Sequence, residues 1–145
     1  MPRVNVYGKG NTVLAIFSHA DDMEFLAAGT LLHLHDCGFR IHTAVMSKGN
    51  CGSMEVSSAI IARIRHKEAS DAAHLLGASF TCLDQDDLNI FYDKKTIGKV
   101  MELIRQVNPR LVFTHAPVDY MVDHEVTSRL VQTACFGALA PNYKT

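Results

Sequence analysis

Residues 13–22, VLAIFSHADD, decide the fold of this chain. The residues from Val13 to Phe17 are all apolar, which is typical of a strand buried on both faces of a parallel sheet. The stretch FLAAGTLL at 25–32 then predicts a helix. His19, Asp21 and Asp22 therefore lie in the turn from a buried strand into a helix, where open α/β sheets form their ligand pockets.

The rest of the chain repeats this order of strand and helix. Hydrophobic periodicity and turn residues predict strands at 13–18, 40–46, 79–83 and 110–114, and helices at 23–36, 57–76, 94–107 and 125–139. The order predicts a doubly wound, Rossmann-like α/β domain over residues 1–145, with a mostly parallel sheet in a three-layer α/β/α arrangement. Residues 1–11 are expected to form an extended arm or a short strand.

Composition and charge exclude several classes of protein. With 48% hydrophobic residues, 20% charged residues and a net charge of −1, the chain is typical of a soluble globular domain. The balanced charge predicts no nucleic-acid partner, and the lack of a long apolar run or a signal-type start predicts no membrane partner. The scattered cysteines, without a C-x-x-C pair, predict reduced thiols in a cytoplasmic protein rather than a cysteine-bound zinc.

Polar side chains follow every predicted strand, at 19–22, 48–53, 84–87 and 115–124. Because the carboxyl ends of parallel strands meet at one edge of a sheet, these clusters should converge. His19 and Asp22 after the first strand, joined by His124 after the fourth, would supply two imidazoles and a carboxylate, the donor pattern of an open catalytic zinc site. Asp21 would then face a bound water, and Asp123 would hold an imidazole in its tautomer or bind the water.

Two alternatives compete with a metal site. In the first, Asp21 or Asp22 caps the first helix, Asp123 caps the last helix, and His124 is a solvated residue of the first turn. The second is a nucleotide-binding redox domain, which would need a G-x-G-x-x-G loop after the first strand. The first strand ends in HADD instead, and the glycines at 49 and 52 follow the second strand. The two histidine–acid segments taken together favour the metal site.

Four segments carry short motifs: SHADDM at 18–23, SKGNCGS at 47–53, RHKEASDAAHLLG at 65–77 and MVDH at 121–124. In order, they resemble the A/S-H-P-D-D-E, T-x-G-x-x-G-S, R-x-x-E-A…A-x-x-L-G and H-x-D-H motifs of the LmbE-like, or PIG-L-type, zinc-dependent N-deacetylases. Members of that family remove acyl groups from N-acetylglucosamine-containing or related amino-sugar substrates. The resemblance covers roughly residues 13–135 and implies an LmbE-like version of the predicted fold.

The resemblance also implies a role for each matching residue. The zinc ligands would be His19, Asp22 and His124. Asp21 would be the general base, supported by Asp123 as a second catalytic residue. Substrate contacts would come from Arg65, Asp87 and the position of Met121. The implied cofactor is Zn²⁺, with Fe²⁺ as the alternative, and the implied partner is a small N-acylated amino sugar or related amine. Assembly into a homo-oligomer is compatible with these expectations, and the C-terminal part usual in the family is expected to be missing from residues 1–145.

Three positions depart from the family motifs. Ala20 and Met23 replace a proline and a glutamate, and a turn does not require that proline. Met121 stands where many members have a histidine that helps to polarise the acyl oxygen or acts as an acid, and a thioether can do neither. His115, also near a strand end, is the candidate substitute. The leading prediction is a metal-dependent N-acyl hydrolase; the alternative is a weakened or inactive member that binds a small ligand in the same pocket.

Overall fold

The computed structural model describes residues 10–145, in which strands and helices alternate along the chain. The elements are β1 (Thr12–Phe17), α1 (Asp22–Leu26), α2 (Ala28–Asp36), β2 (Arg40–Ser47), α3 (Ser58–Leu75), β3 (Ser79–Gln85), α4 (Lys94–Val107), β4 (Leu111–Phe113) and α5 (Val122–Gly137). The predicted N-terminal arm lies outside the described residues, apart from Gly10 and Asn11. Within the described part, no helix has the length and apolar character needed to cross a membrane.

The sheet has four parallel strands in the order β3-β2-β1-β4. The chain first moves outward from β1 to β2 and β3, and then returns to place β4 on the other side of β1. The direction of winding therefore reverses between β1 and β4, and a crevice forms at the carboxyl ends of these strands. The predicted doubly wound, parallel α/β fold is confirmed.

Alternating side chains of β1 face the two helix layers. Leu14 and Ile16 pack in a core with buried residues of α4 and α5. Val13 and Phe17 point to the opposite face, where they pack with buried residues of α1, α2 and the end of α3. Every residue of β1 is buried, as its unbroken apolar run predicts for a strand covered on both faces. The arrangement is the predicted three-layer sandwich.

Most predicted bounds agree with the structure to within one residue, but two helices and one strand differ by more. The helix predicted at 23–36 is wrong as a single element: it is divided into α1 and α2, because Ala27 (φ −137°, ψ −9°) leaves the helical region. Helix α5 begins at Val122 rather than at residue 125, which puts Asp123 and His124 in its first turn. Strand β3 runs on to Gln85, because β2 pairs with it again at Ser47 beyond an irregularity in the register.

A pair of leucine substitutions tests where the core lies. Leu130 on α5 is fully buried, whereas Leu139 beyond the helix is 88% exposed. We expect Leu130→Ala to lower the free energy of unfolding by about 2 to 5 kcal/mol, because it removes buried methyl groups and leaves a cavity. Leu139→Ala, the matched control, should change it by less than about 0.5 kcal/mol. Urea denaturation of both variants measures the difference, and equal effects would contradict the assigned core.

Candidate active site

The candidate site lies in the crevice between β1 and β4. His19 follows β1, Asp22 begins α1, and Asp123 and His124 belong to the first turn of α5. Ser18 joins these elements, because its Oγ is hydrogen-bonded to the backbone carbonyl of Asp123 at 3.0 Å and to the Thr127 hydroxyl at 2.8 Å. The end of β1 is therefore tied directly to the first turn of α5, and residues far apart in sequence meet.

The three predicted metal ligands come together around the Asp22 carboxylate. His19 Nδ1 lies 3.4 Å from Asp22 Oδ2, and His124 Nε2 lies 3.5 Å from Asp22 Oδ1. One donor atom from each of the three residues falls within 4.8 Å of the others. His124 Nε2 is buried and has no hydrogen-bond partner among residues 10–145. A buried, unpartnered imidazole nitrogen beside a carboxylate and a second imidazole fits a divalent cation such as Zn²⁺.

Each of the two imidazoles has a second carboxylate on its other nitrogen. Asp119 Oδ1 lies 3.1 Å from His124 Nδ1, which places the ring proton on Nδ1 and leaves Nε2 free as a donor to a metal. Asp123 Oδ2 lies 3.2 Å from His19 Nε2 and also accepts the Leu88 backbone N–H at 2.8 Å. Such carboxylate–histidine pairs orient the ligands of many metal sites. The contact of Asp123 is the one that the predicted tautomer-holding role needs.

The two adjacent acids face different surroundings. Asp22 is buried and accepts the backbone N–H of His19 at 2.8 Å, whereas Asp21 is exposed. Asp21 precedes α1, but its side chain makes no capping hydrogen bond there. The capping alternative is therefore wrong for this pair. It is also wrong for α5, whose N-cap is Met121 and whose His124 is buried rather than solvated.

The surroundings shift two pKa values in opposite directions. Burial alone would raise the pKa of Asp22, but the imidazoles of His115 and His19 outweigh it and hold that pKa well below its usual range. Burial alone would lower the pKa of His19, but the carboxylates of Asp22 and Asp123 outweigh it and raise that pKa. Asp22 is thus a carboxylate at any ordinary pH, as a metal ligand must be.

A third imidazole, that of His115, contacts Asp22 and His124 from the interior of the protein. Its side chain is fully buried, so it cannot meet a substrate arriving from solvent, and the prediction that it replaces the missing histidine at 121 finds no support. His115, Asp119 and His124 are close enough to resemble a second cation site. However, the two histidine rings are stacked, with centroids 3.8 Å apart and planes 8° from parallel. Imidazole lone pairs lie in the ring plane, so these parallel rings cannot direct donors at one ion.

Two of the predicted substrate residues, Asp87 and Arg65, contact the 47–53 loop. Both Asp87 carboxylate oxygens are engaged by the 47–53 loop, accepting the backbone N–H groups of Gly49 at 3.0 Å and Cys51 at 2.9 Å. Arg65 forms an ion pair with Glu68 at 2.8 Å. Its aliphatic stem packs so close to Gly49 (φ +69°) that an added Cβ there would lie 2.6 Å from Arg65 Cβ. These contacts hold the loop in place, and substrate binding by Arg65 and Asp87 stays a prediction.

Met121 is half-buried at the start of α5, and its backbone N–H donates to Asp119 Oδ1 at 3.1 Å. Its substrate contact also stays a prediction. Sequence reasoning did not single out Asp119 or the Leu88 backbone as parts of the site. Asp119 stands five residues before His124 in a polar loop, a signal that was available. A backbone N–H such as that of Leu88 leaves no trace in a sequence.

Comparisons with known proteins agree on one family. The sequence model described as PIG-L, GlcNAc-PI de-N-acetylase, matches residues 14–135. The chain is 30% identical over 141 residues to the 4-oxalmesaconate hydratase of Pseudomonas putida, a match covering 92% of the chain and 55% of that protein. It is 29% identical over 136 residues to a probable N-acetyl-alpha-D-glucosaminyl L-malate deacetylase of Bacillus cereus, covering 84% of the chain and 60% of the relative.

A solved structure matches as well. The N,N'-diacetylchitobiose deacetylase of Pyrococcus horikoshii has a TM-score of 0.87 and 27% identity, over 97% of this chain and 55% of that one. The chain therefore spans 55% to 60% of the length of the relatives it matches. Both the deacetylase and the hydratase activities named among these relatives add water to their substrates.

The raised pKa of His19 makes cation binding depend on pH. A cation needs the neutral imidazole, so protons compete with it as the pH falls through the pKa of His19, which lies above the ordinary value of about 6.5. We expect the affinity for Zn²⁺ to fall as the pH drops toward the ordinary imidazole pKa, before Asp22 can take up a proton. Calorimetric titration at several pH values measures this fall. A constant affinity at those pH values would contradict His19 as a ligand.

Proposed function

Because this chain belongs to the PIG-L (GlcNAc-PI de-N-acetylase) family, we propose that it is a metal-dependent hydrolase that removes an N-acyl group from a small amine. N-acetylglucosamine-type amino sugars are the proposed substrate class. The observation that carries the proposal is the unpartnered, buried Nε2 of His124 facing the Asp22 carboxylate, with exposed Asp21 next in the chain. Two imidazoles and a carboxylate suit Zn²⁺, the proposed cofactor, and also Fe²⁺.

His19, Asp22 and His124 would hold the cation. When bound, it supplies polarisation of the acyl carbonyl and lowers the pKa of a coordinated water to about 7. Asp119 and Asp123 keep the two imidazoles turned so that one nitrogen of each stays available. The three donors would thus be held in position before the substrate binds.

Asp21 is the proposed general base. Its carboxylate is exposed and makes no capping hydrogen bond, so it is free to accept a proton from the attacking water. The water oxygen bonds to the carbonyl carbon, the amide C–N bond then breaks, and Asp21 returns the proton to the leaving amine. One carboxylate thus serves as base and then as acid, and the products are an amine and a carboxylic acid, which then releases its proton.

Hydration of a carbon–carbon double bond is the second candidate, because the relative that is 30% identical is named a hydratase. The same water and the same base would serve: the water oxygen would bond to one carbon as the π bond breaks, and the proton taken up by the base would go to the other carbon. Met121 bears on this choice, since a thioether cannot donate a hydrogen bond to a developing oxyanion. If the chain is a hydratase, its substrates would be unsaturated acids. Groups other than residue 121 would stabilise the negative charge that develops on them. A site that binds such a ligand without turning it over is the third outcome.

Replacing each of the two adjacent acids in turn distinguishes the metal ligand from the general base. Asp22→Ala should lose bound zinc, because it removes the central carboxylate of the donor set. Asp21→Asn should keep the zinc and lose amine release from N-acetylglucosamine derivatives, by a factor of about 10² to 10⁴ for loss of a general base. Metal analysis and an amine assay on the same preparations measure both quantities.

Exposed Asp36, at the end of α2, offers a control, and Asp36→Asn should leave metal content and turnover unchanged. Equal loss of zinc in the Asp21 and Asp22 variants would contradict the assigned roles. Zinc bound without any amine release, but with hydration of an unsaturated dicarboxylic acid, would favour the second candidate.

Met121→His restores a donor at the position where the family motif carries a histidine. A donor near a developing oxyanion is worth about 2.7 to 4 kcal/mol in known enzymes, so we expect turnover of an N-acetyl amino sugar to rise by about 10²-fold or more. Metal content should not change, because Met121 is not one of the donors. Steady-state kinetics and metal analysis test both expectations; high wild-type activity that falls in the variant would show that another group already serves.

A further inference from the structure

We propose that His115 is a positioning residue that holds Asp22 and His124 in the arrangement that a cation requires. The inference rests on the ligand set of the proposed function, but it assigns a role to a side chain outside that set. His115 touches neither substrate nor ion in this proposal. It acts through the two ligands on which it packs.

His115 is held against the end of β1 by two contacts. Its side chain is fully buried, and its ring meets Phe17 edge-on, with centroids 5.1 Å apart and an interplanar angle of 81°. The Ser18 backbone N–H donates to His115 Nε2 at 2.9 Å, across 97 residues of sequence. The ring is therefore fixed to the strand that ends at the site. The position of the ring beside Asp22 and His124 is set by that strand.

The other face and edge of the ring contact the two ligands. The ring stacks on His124 at a centroid distance of 3.8 Å, with planes 8° from parallel. Its Nε2 lies 3.2 Å from Asp22 Oδ2. That nitrogen can serve its two partners only in turn, accepting from Ser18 when the proton is on Nδ1 and donating to Asp22 when the proton is on Nε2.

Stacking and hydrogen bonding constrain different motions of His124. The contact of Asp119 with Nδ1 fixes one edge of the ring, but it leaves the ring free to tilt about that contact. The flat face of His115 blocks this tilt, so Nε2 of His124 stays directed at Asp22. Affinity for a metal depends on such preorganisation of the ligands.

The unpartnered nitrogen of His115 supports a role beyond packing. Nδ1 is buried and has no hydrogen-bond partner among residues 10–145. Leaving a polar atom buried and unpaired costs stability, typically about 1 to 3 kcal/mol, and an aliphatic side chain of similar size would avoid that cost. The flat imidazole is the feature that an aliphatic residue would lack.

The experiment compares Co²⁺ binding by the wild type, His115→Leu and His115→Phe. The leucine removes the flat ring and the polar contacts, whereas the phenylalanine keeps the flat face. We expect His115→Leu to weaken Co²⁺ binding by about 10- to 100-fold and to alter the visible absorption bands of the bound ion. His115→Phe should recover part of the affinity. His42→Leu is the control, because His42 is hydrogen-bonded to Thr81 and Ser79 on the neighbouring strand and contacts none of the ligands.

Each outcome decides between the claims. Thermal unfolding in the presence of a chelator shows which variants are folded, and His115→Gln, which also lacks the flat ring, carries the test if His115→Leu does not fold. Wild-type affinity and spectrum in a folded variant that lacks the ring would overturn the role of His115 and leave the proposed function standing. Loss of Co²⁺ binding in the variants, with a wild type that binds Co²⁺ but releases no amine, would support His115 and overturn the hydrolase. A wild type that binds no Co²⁺ would overturn both.

Discussion

The parallel pairing of β1 with β4 is the constraint on which the site depends. It consists of three residue pairs, Val13 with Leu111, Leu14 with Val112 and Ala15 with Phe113. These pairs bring the end of β1 beside the loop that leads into α5, so that His19 and Asp22 meet His124. Because β2 occupies the other side of β1, the winding direction must reverse at this point. The crevice is thus a consequence of strand order, and the polar residues that fill it need no special loop to meet.

The site places charged side chains in the interior of the molecule. Asp22 and Asp123 are both buried, and the imidazoles around them are the groups that offset their desolvation. Burying a carboxylate is tolerated only when it is paired or bound to a metal. The contacts of Asp22 and Asp123 with these imidazoles therefore stabilise the fold as well as the donor set. A cation between His19, Asp22 and His124 would complete this balance, which links metal binding to the stability of the crevice.

The two proposed reactions, deacylation and hydration, would place similar demands on this chain. Both need a nucleophilic water and a carboxylate that accepts its proton, and Asp21 is the proposed acceptor in either reaction. They differ in where negative charge develops in the transition state, and so in which donors must stand nearby. Met121 removes one such donor from the position where the family motif carries it. In either proposed reaction, substrate choice would therefore depend on groups beyond the three candidate donors and the proposed base.

The amino-acid sequence by itself determined the order of the elements and the group of candidate donors. The unbroken apolar run of β1 and the apolar stripes of the helices are local patterns, and parallel strands send the residues that follow them to one edge. That reasoning was sufficient for a doubly wound sheet and for His19, Asp22 and His124 as one group, now found within 4.8 Å of one another. The division between α1 and α2 at Ala27 was missed, because that residue favours a helix and only packing against the sheet turns it out of one.

Only the tertiary structure decided which side chains support the donors. The Ser18 contact with His115 spans 97 residues, and the contact between His19 and Asp123 spans 104. No periodicity or motif specifies such a pairing, because it depends on how far α5 reaches toward β1 once the cores on both faces of the sheet are packed. For the same reason the contacts of Asp87 with the 47–53 loop could not be predicted, and its substrate role stays a prediction. Local patterns identify which chemical groups follow each strand, whereas the packing of the layers determines which of them touch.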